Sequence, residues 1–531
     1  MATLSVAIEV LNTPPTAVSS NGVGICLSGG GSRALSCAMG QLRGLRHLGL
    51  LDKVSAISSV SGGTWANVVF SYLPESISDD ELLGPVMLDP AQLTLDVLAQ
   101  MAPNNLGQVP YRLGTLPILD ELAEYRSTQR YAPSDMWQAV IGKLVLQDFG
   151  LWNPDATGVD PHCFTGTVSP AADSASAQGA NLPISKAYTV RPGRPLPIFN
   201  TSLFLNDSPT AELVPFEASN VLGVRASFVN RPGQLGAVGG GLIESFAMGS
   251  EYLSDDGPDR VIASVPTRAF SLNDIAGCSS MAPAEDFEER FPEVNGLVPR
   301  YPYWPVNDRQ PRDTQTYRFA DGGNLENLGI TPLLARGFAR LLVFVNSDQG
   351  VNVDPESGEI VVADALPPLF GLQPFCEKTR SYPVYSDTQP GEGANRMFRH
   401  NQVFETTAFA SLQQGLLAAK RAGGSLLVRQ TLAVLQNAWF NVPAQPSVEV
   451  LWVYNDSVHA WWKQLPDATQ IELDLQSVDD FPLYGTVTQL HLSHPLVNAV
   501  AHLSCWNLAS DSTVGNPDGQ TNADVVRSLF A

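Results

Sequence analysis

Between Gly22 and Tyr72 the apolar positions change period twice, and each change predicts an element. Val23 to Leu27 is a short apolar run with the length of a strand. Ala34, Leu35, Ala38, Met39, Leu42, Leu45 and Leu48 then recur at the i, i+3, i+4, i+7 spacing of a helix, and Gly49 stands where such a helix would end. A second strand-like run, Val54 to Val60, leads into a further apolar stretch, Ala66 to Tyr72. The predicted order is strand, glycine loop, helix, strand, serine turn, helix.

Farther along the pattern is less regular. Helical pieces are predicted at Ala91 to Met101, Ile118 to Tyr125 and Met136 to Phe149, and residues 160–181 read as loop, rich in Ser, Ala, Gly and Pro. Leu341 to Asp348 has the pattern of a strand. After a Pro- and Gly-rich stretch, Val351 to Ala394, the spacing predicts a helical region over Thr406 to Asn437 and a strand pair, Val448 to Tyr454 with Thr469 to Leu475. No internal repeat is visible.

The two junctions in the first segment carry the candidate chemistry. Gly29, Gly30 and Gly31 lie at the mouth of the first helix. Backbone N–H groups are uncovered there and the helix dipole is positive, so the loop suits a phosphate or a developing oxyanion. Ser61 is followed by Gly62 and Gly63 between a strand and a helix, the setting that pushes a serine hydroxyl out of a sheet. The elbow pattern G-x-S-x-G is met imperfectly, with Ser59 at its first position. The glycine run lacks the Gly-Lys-Ser/Thr ending of a P-loop and the acidic residue that follows a dinucleotide fold's second strand. Two such junctions on neighbouring parallel strands would face one space.

The runs SGGGSRA and SVSGGTW, joined by a helix, resemble the paired signature of the patatin-like and cytosolic phospholipase A2/phospholipase B superfamily. Tyr317 to Gly323, with its Asp321-Gly322-Gly323 turn, and the stretch that continues through Thr331–Gly337 to Leu341–Asp348 resemble the same superfamily. So do Arg194–Thr201, read as a strand, and Phe481–Leu508, read as a Phe-Pro dipeptide before a last helix. The resemblance implies a three-layer α/β/α catalytic domain with an inserted cap region. It implies a Ser61–Asp321 dyad as nucleophile and base, an oxyanion hole at Gly29, Gly30 and Gly31, and Arg33 as support for a substrate phosphate or the oxyanion. Gly30 and Gly31 would donate their N–H groups, with Gly29 shaping the loop. No metal or cofactor is implied. The activity implied is that of a phospholipase A2/lysophospholipase-type serine hydrolase acting on phospholipid or other lipid esters, at a membrane or micelle surface. An acyltransferase or general carboxylesterase on the same dyad, and an inactive lipid-binding protein, are the rival readings.

A dyad this far apart in sequence implies a single catalytic domain over 1–531, with its core at about 22–75 and 194–350, a cap insertion at 76–193 and a C-terminal extension at 396–510. Without an imidazole between them, Asp321 would take the Ser61 proton directly, and burial is expected to raise its proton affinity. A histidine triad would instead draw on His400, His459, His491, His494 or His502, none of which sits in a recognisable motif.

Charge and composition narrow the partners. With 31 basic and 53 acidic residues the net charge is −22, which disfavours nucleic acid and any strongly anionic surface. No apolar run approaches the roughly 18 residues of a membrane span. Residues 1–21 lack the features of a secretory signal, so a cytoplasmic location is expected, with secretion left open. With only a short segment before the glycine loop, the calcium-binding targeting module of the animal phospholipases is not expected. The six cysteines show no metal-type spacing, and Cys26 and Cys37 are expected to be buried thiols. A second triple-glycine run at 239–241 reads as a turn, and the acidic cluster at 255–259 as a solvated loop.

Overall fold

The computed structural model describes residues 5–11, 22–155, 188–205, 212–219, 224–225, 241–243, 252–255, 257, 260–264, 270–282, 296–303, 315–386, 389–391, 393–477, 480–485 and 489–531. The loop expected at 160–181 and most of the 239–241 and 255–259 segments lie outside them; Gly241 begins a short strand.

The strands that build the site are, in chain order, β1 (Val23–Leu27), β2 (Val54–Val60), β3 (Leu196–Phe204), β4 (Leu213–Ser219), β5 (Gly241–Ile243), β6 (Arg300–Tyr303), β7 (Gln315–Asp321), β8 (Arg340–Val345), β9 (Leu426–Val434) and β10 (Gln445–Tyr454). They form one mixed sheet in the order β6-β7-β3-β2-β1-β8-β10-β9, with β4 paired to β3 and β5 to β4. The five central strands, β3 to β10 along that order, are mutually parallel. Both flanks turn antiparallel, at β7 against β3 and β9 against β10.

Strand residues alternate between two cores. Ile25, Leu27, Ile57, Leu342 and Phe344 pack on one side of the sheet. Cys26, Ala56, Ile198, Leu341, Val343 and Val345 pack on the other. A parallel strand covered on both faces needs apolar residues at every position, which is why these segments read as runs rather than alternations. Helices α1 (Gly31–His47), α2 (Gly62–Tyr72), α3 (Leu272–Ser279) and α5 (His494–Ala509) supply the first core, and α4 (Phe409–Ala422) the second. The result is the expected α/β/α layering. Cys26 and Cys37 are buried in it, and burial pushes the Cys37 thiol up to about 11.

Several sequence expectations are corrected. Thr406 to Asn437 is helical only through Ala422; Gly423, in the left-handed region at φ 79°, ends α4, and the chain turns into β9. The partner of β10 is therefore β9, and Thr469 to Leu475 lies in a helix, Asp467–Ser477. Ala91 to Met101 keeps only a short helix, Leu95–Leu98, because the Thr94 side chain caps a new start by accepting the Val97 N–H. Nor is α5 the last helix, since Asn522–Leu529 follows it. Among the described residues no helix is long and apolar enough to cross a membrane.

Candidate active site

The sheet itself brings Ser61 and Asp321 together. On β3, Asn200 pairs with Val60, the residue before Ser61, and the next residue, Thr201, pairs with Asp321. β2 and β7 run in opposite directions, so one strand's final residue and the other's exit turn meet over adjacent positions of β3. The Ser61 side chain lies near enough to the Asp321 carboxylate to hold its proton affinity down.

Ser61 occupies a strained conformation, φ 51° and ψ −122°, between β2 and α2. Its carbonyl accepts the N–H groups of Thr64 and Trp65 at 2.8 and 3.1 Å, so the serine caps α2 with its backbone while its side chain leaves the helix axis. Gly62 is required by closeness, because a Cβ there would stand 2.1 Å from the Gly31 carbonyl oxygen. The serine turn and the glycine loop are thus in direct backbone contact.

The glycine loop takes its shape from Gly30 and Gly31, both at positive φ, 132° and 53°. The Gly29 N–H is already bound, donating to the Asn327 carbonyl at 3.0 Å. The Gly30 and Gly31 N–H groups have no protein acceptor among the described residues, as expected at a helix N-terminus. A Cβ on Gly29 would lie 3.1 Å from the Ser61 Cβ, which places the nucleophile candidate against this loop.

Arg33 is buried in α1 and spends its guanidinium on the protein. Nε donates to the Asn346 carbonyl at 3.1 Å and Nη1 to the Tyr484 carbonyl at 2.6 Å, with the Asp348 carboxylate 3.8 Å away. The Ser28 hydroxyl accepts the Asn346 N–H at 2.8 Å, and the Asn346 side chain accepts from Gln41 at 2.7 Å. Together these contacts lock the glycine loop to the end of β8. A Cβ on Gly30 would come 2.6 Å from Arg33 Nη2, so the arginine also lies directly beneath the loop.

Asp321 is 2% exposed. Its Oδ1 accepts the Gly323 N–H at 2.7 Å, and its own N–H donates to the Met281 carbonyl at 3.2 Å. Burial pushes the carboxyl up to about 7, against the opposing pull of the Ser61 side chain and the Gly323 N–H. No charged neighbour contributes. The loop beyond it is organised by Glu326, a buried carboxylate that accepts the N–H groups of Leu328, Gly329 and Ile330 at 2.6, 3.1 and 2.9 Å. That loop presents Asn327 to Gly29.

None of the five histidines is a partner of Asp321. His400 stacks on Trp439 and is pushed down to about 4 by burial; His502 lies 3.2 Å from Arg43, and His494 bonds Gln108. His491 packs on Tyr111 and His459 beside Gly423. Sequence reading missed Asn327, Asn346 and Ser279, whose side-chain oxygen accepts the Ser61 N–H at 3.0 Å. Only Asn346 had a local signal, its place at the end of a strand.

Fold and site together define an α/β protein in which a serine–aspartate pair faces a glycine loop at the end of a mixed sheet. No family model matches the chain. It is 40% identical over 128 residues to human cytosolic phospholipase A2 beta, a match covering 24% of this chain and 15% of that protein. It is 30% identical over 126 residues to human cytosolic phospholipase A2 zeta, covering 24% and 14%. These matches relate the chain to the patatin-like and cytosolic phospholipase A2 superfamily, over a segment that spans about 15% of the curated relatives' length. Among solved structures, human GIVD cytosolic phospholipase A2 aligns with 96% of this chain and 60% of its own, at 13% identity and a TM-score of 0.47.

Proposed function

We propose that the chain is a serine acyl hydrolase that cleaves the acyl esters of phospholipids or lysophospholipids. The observation that carries this reading is that adjacent positions of β3 bring Ser61 and a buried Asp321 together, beside a glycine loop whose Gly30 and Gly31 N–H groups have no acceptor among the described residues. Asp321, ionised, takes the Ser61 proton as Oγ attacks the ester carbonyl. The carbonyl oxygen, now an oxyanion, is met by the N–H groups of Gly30 and Gly31, and loss of one such donor typically costs roughly 10²–10³ in rate. Protonated Asp321 then returns its proton to the departing alcohol. Water, activated by the same carboxylate, releases the fatty acid from Ser61.

Gly29 belongs to the loop's frame, its N–H being taken by Asn327. Arg33 supports the oxyanion through the loop it braces. The lipid character of the substrate rests on the relationship to the cytosolic phospholipases A2. A lipid surface is the natural place to meet it, and Leu116, Leu119, Ile471 and Leu475 are each more than half exposed. The relationship to cytosolic phospholipases A2 also supports a cytosolic location.

The test is a mass-spectrometric screen of purified protein against phospholipids, lysophospholipids and simple esters, with and without added alcohols. Release of free fatty acid by the wild type and its loss in Ser61→Ala and Asp321→Asn are expected. Transfer to the alcohol in preference to water would make the protein an acyltransferase. Equal turnover by Ser61→Ala, or none by the wild type on any lipid, would contradict the reading.

A further inference from the structure

The Ser61 N–H has an unusual problem. With φ at 51° the serine leaves the β2 ladder, so its N–H cannot continue the pairing with β3. The acceptor it finds is far away in sequence, the hydroxyl of Ser279 at the C-terminal end of α3, 3.0 Å distant. Ser279 is fully buried. Its hydroxyl donates to the Asn200 carbonyl at 2.6 Å and lies 2.9 Å from the Thr64 hydroxyl, which leaves a lone pair for the Ser61 N–H. Asn200 is the β3 residue that pairs with Val60, so this single oxygen ties the serine turn to the strand beneath it.

Two residues beyond Ser279, the Met281 carbonyl accepts the N–H of Asp321 at 3.2 Å. The same short turn therefore grips the backbone of both candidate catalytic residues. Its helix is itself pinned. Asp274 accepts the Ser271 N–H at 2.8 Å and, through its other oxygen, the hydroxyl of Tyr301 on β6 at 2.8 Å. Trp137 Nε1 donates to the Gly277 carbonyl at 3.0 Å.

We propose that Ser279 is a positioning residue: with the Met281 carbonyl it forms a jig that holds the Ser61 hydroxyl within hydrogen-bonding reach of Asp321. This rests on the dyad reading above. An alanine at 279 leaves the Ser61 N–H without its acceptor and lets the strained turn relax. The catalytic oxygen then drifts from the carboxylate, whereas none of the contacts that Ser279 itself makes, to Ser61, Thr64 and Asn200, belongs to the glycine loop.

The experiment uses the full chain and a fluorophosphonate probe, whose phosphorus is attacked by a serine oxygen with loss of fluoride. The saturating labelling rate, the probe's apparent binding constant and the pH profile are measured for wild type, Ser61→Ala and Ser279→Ala. A displacement on the ångström scale predicts a labelling rate about 10- to 100-fold lower in Ser279→Ala at an unchanged binding constant. It also predicts that the acidic limb of the profile moves to higher pH, because the Ser61 side chain that holds the Asp321 carboxyl down moves away from it. A merely structural role would not move that limb. An unchanged rate and limb would overturn the proposal. Should Ser279→Ala fail to fold, Ser279→Cys carries the test, since a thiol is a weaker acceptor: a smaller loss with the same direction of limb shift is expected, and an unshifted limb overturns the proposal. Failure of the wild type to label at Ser61 would instead sink the dyad reading itself.

Discussion

The Gly29 N–H donates to the Asn327 carbonyl at 3.0 Å, so the loop that follows Asp321 holds the loop that faces Ser61. Glycine loop, serine turn and aspartate turn are consequently one connected backbone unit rather than three side chains brought near each other. This connection explains why a substitution in any one of them is expected to be felt in the other two.

Asp321 makes the first prediction. Its carboxyl titrates at about 7 in the native protein, and burial is the largest cause. As the proposed base, Asp321 acts only when ionised, so kcat/KM should rise with pH and level off above an inflection near 7. Stability should move the other way. The folded pKa lies above the unfolded value of 3.8, so the native state holds the proton more tightly and loses stability as pH rises from 3.8 to about 7. Asp321→Asn removes that penalty. It should be more stable than wild type at pH 8, by up to about 4 kcal/mol, with the gain vanishing near pH 4. The same variant should lose roughly 10²–10⁴ in turnover. Thermal unfolding and rate profiles across that pH range check both signs.

Gly62→Ala is the second. The new methyl would sit 2.1 Å from the Gly31 carbonyl oxygen, a backbone atom that cannot step aside. Serine turn and glycine loop must separate, and an ångström of misalignment between the proposed nucleophile and oxyanion donors should cost on the order of 10²-fold in rate. The expected result is a large fall in kcat with circular dichroism unchanged. Retained activity would mean that the loop does not serve the serine.

The third concerns Arg33. Its two donations, to Asn346 and Tyr484, lie within the protein. In Arg33→Ala each buried carbonyl left unpaired should cost about 1–3 kcal/mol, read as a lower melting temperature. Because the brace acts on the loop, turnover of simple esters and of phospholipids should fall together. A rise in KM confined to phospholipids would instead identify the arginine as a phosphate contact.

Much of this arrangement is legible in the sequence where local pattern and tertiary role agree. Val23 to Leu27 and Val54 to Val60 are continuous strand signals because both faces of those strands are covered. Thr469 to Leu475 misleads for a physical reason: Ile471, Leu473 and Leu475 alternate like a strand, yet in the helix only Leu473 is buried while Ile471 and Leu475 are 60% and 72% exposed. The end of α4 had a signal in Gly423-Gly424, whose second glycine would otherwise meet the Val514 carbonyl oxygen at 1.8 Å. Ser279 and Met281 had none. Their work is done across the fold, and the antiparallel entry of β7 that delivers Asp321 to Ser61 is a property of sheet order that no local spacing encodes.

Covalent labelling by a fluorophosphonate, mapped to the peptide level, tests the central claim most directly. The wild-type protein should carry a single adduct on Ser61, formed faster as pH rises through about 7, slowed strongly by Asp321→Asn and absent from Ser61→Ala. An unlabelled wild type, or an adduct on any other serine that persists in Ser61→Ala, would contradict it.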